Sequence, residues 1–357
     1  MKHTQDIEST WQKSLAQAIA AQAFPGAVLK VGTGEGVLAT VAAGWHTCAR
    51  EQEVRSDDLF DLASLTKVVG TTSIAMRLHG RGKLDLDSPV GEILPEFLTD
   101  DPRRRTVTVA HLLAHASGLP AWLPFHRGPD EPLAERRARL LSTPLEVAPD
   151  EATIYSDLGL MILGFLLAEQ TRLPLAELMQ QEVLNPLGMA ETRYTPAATL
   201  RERCVPTECD EAGVPCQGIV HDENARWLDG VAGHAGLFAP AADLARLAGC
   251  LLRGGEPVFV PATVARFTRR ADIVGGSTRC LGWDSVGKVC SAGRFVGAHA
   301  FGHTGFTGTS LWIDPDHDLF IVLLTNAVHP RRETKAARFF PWRRAIHESI
   351  YTALGLA

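Results

Sequence analysis

Asp61-Leu62-Ala63-Ser64-Leu65-Thr66-Lys67 is the stretch on which the reading of this chain turns. A serine hydroxyl is a poor nucleophile until something takes its proton. Residues at i and i+3 of a helix share a face, so the Lys67 amine can reach the Ser64 hydroxyl. The residues that follow support a helix: Leu65, Val68, Val69, Ala75, Met76 and Leu78 recur at helical spacing, and Gly80 and Gly82 supply the stop. With Asp61 or Ala63 near the cap, Ser64 falls in the first turn. There, unpaired N–H groups and the positive end of the helix dipole favour an oxyanion. The pattern recurs at Ser285-Val286-Gly287-Lys288, but Leu281 to Gly287 reads as a short strand and turn. In a strand, i and i+3 point to opposite faces, so the second copy is set aside.

Working outward, the segments Ala27 to Val31 and Val37 to Ala43 read as strands joined by the glycine-rich Gly32–Gly36. A phosphate-binding loop needs a helix after it, and here a second β-rich run follows, so a hairpin is expected. Between about 80 and 200 strand signals are sparse. Thr108 is expected to cap a helix reaching about Ala116, Ser156 or Asp157 to cap Leu158–Glu169, and Pro174 to open a helix ending near Asn185-Pro186. Strand character returns at Ser310–Ile313 and Leu319–Leu324, and a last helix is expected over about Trp342–Leu354. The pattern implies an α+β fold: an antiparallel sheet flanked by helices and built from both chain termini, with a mainly helical inserted lobe. The expected division is 1–79 with 205–357 as the sheet domain and 80–204 as the helical domain, with the active site at their seam.

The 357 residues, 45% of them hydrophobic, are enough for a large core. A formal charge of −6 provides no global field for nucleic acid or anionic membrane, and Arg103-Arg104-Arg105 and Arg136-Arg137 read as solvated surface. The first residues lack the apolar core of a secretory signal; Ile7, Trp11, Leu15, Ala18 and Ile19 instead mark an amphipathic helix. The longest apolar run, Leu158 to Ala168, is too short to cross a bilayer. A soluble, cytoplasmic protein is expected. Seven cysteines without a CxxC pair suit a reducing compartment. Cys204, Cys209, Cys216 and His221 lack paired zinc-ligand spacing and are read as free side chains. His111 and His115 stand at i and i+4, but the glutamate of a zinc-hydrolase motif is missing, so both are read as structural.

Two other short segments can complete a site around Ser64: Tyr155-Ser156-Asp157 and Gly302-His303-Thr304-Gly305-Phe306. With these in place the chain resembles the serine β-lactamase and penicillin-binding protein superfamily, in particular the class C β-lactamase-like branch of esterases and peptidases. The resemblance runs through Asp61–Lys67, His111–Pro120, Tyr155–Gly159, Asn185–Thr192 and His303–Gly308, in the family's order. It implies that Ser64 forms an acyl-enzyme, that Lys67 is its immediate proton acceptor, and that Tyr155 faces both. Unperturbed phenol and lysine pKa values are about 10 and 10.4, so neighbours must shift one of them; which is the base stays open. The implied oxyanion donors are the backbone N–H groups of Ser64 and Phe306, with Gly305 allowing close approach and Thr304 lining the substrate.

Two departures stand out. Asp157 occupies the place of the usual asparagine, and His303 the place of the usual lysine. A neutral histidine lacks the fixed cation that meets a β-lactam or peptide carboxylate, so an ester or amide without a required anionic group is expected. His221 and His234 are expected near the cleft as supporting polar residues. The sequence thus implies a serine esterase or amidase needing neither cofactor nor metal and acting on a small-molecule ester, amide or peptide. A D,D-peptidase or β-lactamase is the alternative, and a non-turnover penicillin-binding or sensing module is the third.

Overall fold

The computed structural model describes residues 2–357. Strands β1 (Gly26–Thr33) and β2 (Gly36–Gly44) form the expected antiparallel hairpin, closed over Gly34 and Glu35. A small second sheet joins β3 (Phe60–Asp61), β4 (Arg193–Tyr194) and β5 (Leu237–Ala239), with β5 in the middle. The late strands are β6 (Asp284–Ser285), β7 (Phe301–Thr304), β8 (Ser310–Asp314) and β9 (Leu319–Thr325). The main sheet has the order β2-β1-β9-β8-β7-β6, antiparallel throughout, so the first hairpin pairs directly with the last long strand. This is the sheet built from both termini.

Side chains on a strand alternate between faces, and β1 and β9 bury both faces. Val28, Val322 and Leu324 point into one core, which continues through the helices of the middle of the chain. Leu29, Ile321 and Leu323 point into a second core, closed by Trp11 and Leu15 of the helix Lys2–Ala20 and by Phe339, Ile346 and Ile350 of the helix Lys335–Ala353. The N-terminal amphipathic pattern is therefore a packing stripe. The final helix starts earlier than expected and holds Pro341 within it.

The middle of the chain is helical as expected. Thr108 caps Val109–Leu113, accepting the His111 N–H while the His111 ring accepts the Thr108 N–H. That helix stops three residues short of expectation, because His115 adopts a left-handed conformation with φ 58°. Ser156, not Asp157, caps Asp157–Thr171 by accepting the Gly159 N–H. No single helix among the described residues is long and apolar enough to cross a membrane.

The arginine runs are not simple solvated surface. Arg104 is fully buried, stacks 3.9 Å over the Phe97 ring, and donates to the carbonyls of Phe97, Leu141 and Thr143. A guanidinium carries five donors in a rigid fork, so one arginine can tie together carbonyls that helix ends leave open. Arg136 likewise reaches the Trp227 carbonyl and Asp229. Composition marked these residues as charged; only the fold supplies the carbonyls they bind.

Candidate active site

Ser64 lies in the tight turn that precedes the Lys67–Thr72 π-helical segment and the Ser73–Gly80 helix. The turn is set locally. Asp61 Oδ1 accepts the Ala63 N–H at 2.8 Å, Ala63 takes φ 45°, and Ser64 O accepts the Lys67 N–H at 3.1 Å. Burial pushes the Asp61 carboxyl up, against the N–H bonds from His221 and Ala63 that favour its charged form.

Lys67 is fully buried, and its Nζ lies 2.7 Å from Ser64 Oγ. The same Nζ contacts Asp157 Oδ1 at 2.7 Å and the His234 carbonyl at 3.3 Å. It also lies 5.0 Å from the centre of the Tyr155 ring. Burial pulls the Lys67 ammonium down, yet Asp157 first and Tyr155 second outweigh it, so its pKa stands above the ordinary lysine value. Ser64, Lys67, Tyr155 and Asp157 thus converge from two stretches almost a hundred residues apart. The small sheet explains how His234 joins them: Leu62 N–H donates to Leu237 O at 2.9 Å, and Leu237 N–H to Thr66 Oγ1 at 3.2 Å.

The third segment is stapled to the nucleophile. Thr307 Oγ1 donates to Asp61 O at 2.8 Å, Thr309 Oγ1 to Leu62 O at 3.1 Å, and Gly305 N–H to Thr309 O at 2.7 Å. His303, Thr304, Gly305 and Phe306 therefore line the same 510 Å³ cavity as Ser64 and Tyr155. The His303 ring stacks 5.8 Å from Tyr155, and burial, with Arg279 and Lys67 nearby, holds it neutral, well below the usual histidine range. Phe306 is held on one side by the His221 ring at 5.6 Å and on the other by Lys335, 3.7 Å from its centre and bonded to its carbonyl at 2.5 Å.

Several neighbours were not legible as site residues. His115 holds its structural role beside the site. It packs 4.7 Å from Tyr155, and its Nδ1 accepts the Ser156 N–H at 3.0 Å, tying the turn after Val109–Leu113 to the Tyr155 segment. Its partner in the i, i+4 pattern, His111, turns away to Asp150 at 2.6 Å. Arg279 stands 4.9 Å from the Tyr155 ring centre and lines the cavity with Lys288, Lys335 and Arg343; the single acid in that lining is Asp284. The discarded Ser285 and Lys288 also border the cavity, but Ser285 Oγ donates to Thr278 O at 2.7 Å rather than meeting a base. His221 pairs with Glu208 at 2.7 Å and His234 with Asp222 at 2.8 Å. Cys204, Cys209 and Cys216 are free thiols.

This fold and this arrangement match one class. The chain belongs to the beta-lactamase family, whose profile matches residues 11–340, and it is an enzyme: a serine hydrolase of the β-lactamase and penicillin-binding protein superfamily. Among its relatives, it is 34% identical over 352 residues to the N-acetylmuramyl-L-alanine amidase of Bacillus subtilis, covering 87% of this chain and 78% of that one. It is 32% identical over 317 residues to the "Putative D-alanyl-D-alanine carboxypeptidase" of Escherichia coli, covering 78% and 72%. The solved structure of EstCE1, a hydrolase with promiscuous acyltransferase activity, superposes with a TM-score of 0.79 at 24% identity, over 98% of this chain and all of that one.

Proposed function

We propose that this protein cleaves a carboxylic amide, peptide or ester bond through an acyl-enzyme on Ser64. The observation that carries the reading is the 2.7 Å contact of Lys67 Nζ with Ser64 Oγ in the wall of a cavity shared with Tyr155 and the His303–Phe306 segment. Ser64 Oγ attacks the carbonyl carbon, and its proton passes to Lys67 or Tyr155. The carbonyl electron pair moves onto oxygen, where the N–H groups of Ser64 and Phe306 receive it. Collapse expels the leaving group with a returned proton, and water repeats the sequence on the ester. A fluorophosphonate is expected to add its phosphonyl group to Ser64 and to leave Ser64→Ala unlabelled, with loss of turnover of a chromogenic ester in the same variant. Full activity in Ser64→Ala would refute the mechanism. A labelled adduct with no turnover of any ester, amide or peptide would favour the sensing module instead.

The cavity changes the expected substrate. His303 alone suggests an acyl donor without an anionic group, but Arg279, Lys288, Lys335 and Arg343 face the cavity against one acid, Asp284. Lys335 is driven down to about 8 by burial and then by Arg343 and Arg332, and Arg343 down to about 10 chiefly by burial. Cations crowded in this way gain from a bound anion. That favours an amide or peptide carrying a carboxylate near the scissile bond, in keeping with the amidase and carboxypeptidase names of the relatives.

A further inference from the structure

The helical lobe holds a second cavity, apart from the cleft of Ser64. Its volume is 560 Å³, and it lies between the helices Leu133–Leu141, Asp157–Thr171 and Leu175–Met179 and the segment 228–233. Leu133, Met161, Phe165, Leu175, Leu228 and Val231 give it an apolar lining, and among the described residues it shares none with the Ser64 cavity. Two of its walls run on to the active site. The helix Asp157–Thr171, which supplies Met161 and Phe165, begins at the carboxylate that meets Lys67 Nζ at 2.7 Å. Segment 228–233 leads directly into His234, whose carbonyl is 3.3 Å from the same nitrogen. These two walls touch backbone to backbone at Gly164 and Gly233: a Cβ on Gly164 would fall 3.1 Å from Gly233 Cα, and one on Gly233 2.0 Å from Leu160 O. Gly233 O in turn accepts the Thr71 hydroxyl at 2.6 Å, on the helical segment that carries Lys67. The cavity is thus framed by the two elements that present Asp157 and His234 to Lys67, and a shift in one wall is passed to the other.

We propose that this second cavity binds a neutral, mainly apolar small molecule carrying one oxygen acceptor, and that its occupancy speeds the chemistry at Ser64. Ligand pockets are apolar spaces of about 300–1,000 Å³ with a few placed polar groups, and this cavity has that size and character. Among the described residues, Arg137 and Asp229 are the only charged groups in its lining, and both are already paired. Arg137 meets Glu96 at 3.3 Å and Glu169 at 3.2 Å, while Asp229 meets Arg136 at 2.9 Å, which also holds Asp130 at 3.1 Å. Acids outnumber arginines there, so an anion is repelled, and an ammonium gives up its hydration without meeting a free carboxylate. One donor is left over. The Arg137 guanidinium lies 5.6 Å from the Phe165 ring, and its Nε is buried without a partner. An alcohol, ester or ketone oxygen satisfies that N–H, while the rest of the ligand covers the apolar lining. A ligand that fits the walls as they stand favours this arrangement over looser ones, and with it the contacts of Asp157 and His234 to Lys67. The binding site stands by itself; the effect on rate rests on the reading of Ser64 as nucleophile.

The test uses one chain length with three heads: octan-1-ol, octanoate and octylammonium, titrated calorimetrically into the wild-type protein. Octan-1-ol is expected to bind at one site, about tenfold more tightly than either ion, and to raise Tm. Ala168→Phe, which places a ring in the cavity, is expected to abolish that binding and the rise in Tm; should it not fold, Ala176→Phe fills the same space from another wall. Arg137→Met is expected to weaken octan-1-ol about fivefold, the worth of one hydrogen bond. Absence of saturable octan-1-ol binding to wild type, or binding that survives in the filled variant, overturns the site. Octanoate binding as tightly as the alcohol overturns the ligand class, and an unchanged affinity in Arg137→Met overturns the role of its Nε. The coupling is read from the rate of fluorophosphonate labelling at Ser64, which is expected to rise about fivefold at saturating octan-1-ol in wild type and to stay level in the filled variant. A wild-type rate that is unchanged or lowered overturns the coupling. If wild type is never labelled, the nucleophile reading itself fails, while calorimetry and Tm still decide the site.

Discussion

Substituting Gly305 by alanine probes the proposed oxyanion donor without touching any ionisable group. A Cβ built on Gly305 falls 2.1 Å from Thr309 Oγ1 and 2.5 Å from the Leu62 carbonyl oxygen, whereas real Cβ contacts essentially never come below 3.0 Å. The threonine hydroxyl can rotate only by giving up its 3.1 Å bond to that same carbonyl. Leu62 O belongs to the backbone two residues before Ser64, so it cannot swing aside. The 305–309 loop must therefore retreat from the nucleophile by roughly half an ångström or more, taking the Phe306 N–H with it. A displacement of about 1 Å in a reacting geometry costs about a hundredfold, and loss of one oxyanion donor costs about 3 kcal/mol, or a hundred- to a thousandfold in kcat. Gly305→Ala is thus expected to slow single-turnover acylation by about a hundredfold, with KM changing much less, because the donor acts on charge that develops only in the transition state. Stopped-flow release of the chromophore measures the acylation step directly, and a melting curve checks that the fold survives. Acylation within about threefold of wild type, in a folded variant, would refute the claim that this loop carries the oxyanion donor.

Three further outcomes follow from the same geometry. Lys335→Met should lower the preference for a carboxylate-bearing substrate over its neutral amide by about tenfold, the worth of one charged hydrogen bond. In wild type that preference should fade as pH rises through about 8, where Lys335 loses its proton; a flat preference across that range would count against the cationic subsite. Glu208 is held down to about 2 from 4.5: burial alone would raise it, but bonds from His221 and Arg332 prevail. A depressed carboxylate contributes stability that is complete above 4.5 and is lost as pH falls toward 2. Glu208→Gln should accordingly be less stable at neutral pH and show a shallower loss over that window in denaturant melts, whereas parallel curves would contradict the assignment. Arg104→Met leaves the Phe97, Leu141 and Thr143 carbonyls without their shared donor and should cost about 3 kcal/mol in denaturant unfolding; a change under about 0.5 kcal/mol would show that water or a neighbour replaces it.

What the sequence by itself determined is what short-range geometry controls. The Ser64–Lys67 contact needs only one turn of chain. The β1–β2 hairpin, the Thr108 cap and the stop at Gly80 and Gly82 follow from turn chemistry and periodicity within a dozen residues. Even the departures at Asp157 and His303 could be seen in the sequence, because each stands inside a motif whose usual residue is different.

Only the tertiary structure decided what those departures meet. Asp157 reads equally well as a helix cap until Ser156 is seen to hold that role and Lys67 is found 2.7 Å from the carboxylate. His303 suggests a missing cation until Lys335, more than thirty residues onward on the last helix, is found at the Phe306 ring, and Arg279 at the Tyr155 ring. His115 reads as one of a pair with His111 until its left-handed backbone points it at Tyr155 instead. Arg104 reads as surface charge until the chain folds three carbonyls around it. In each case the partner lies on a distant element, and the sign of the effect depends on burial. A sequence shows which charges and donors exist, but which of them share a low-dielectric neighbourhood is fixed by the packing of helices against a sheet drawn from both ends of the chain.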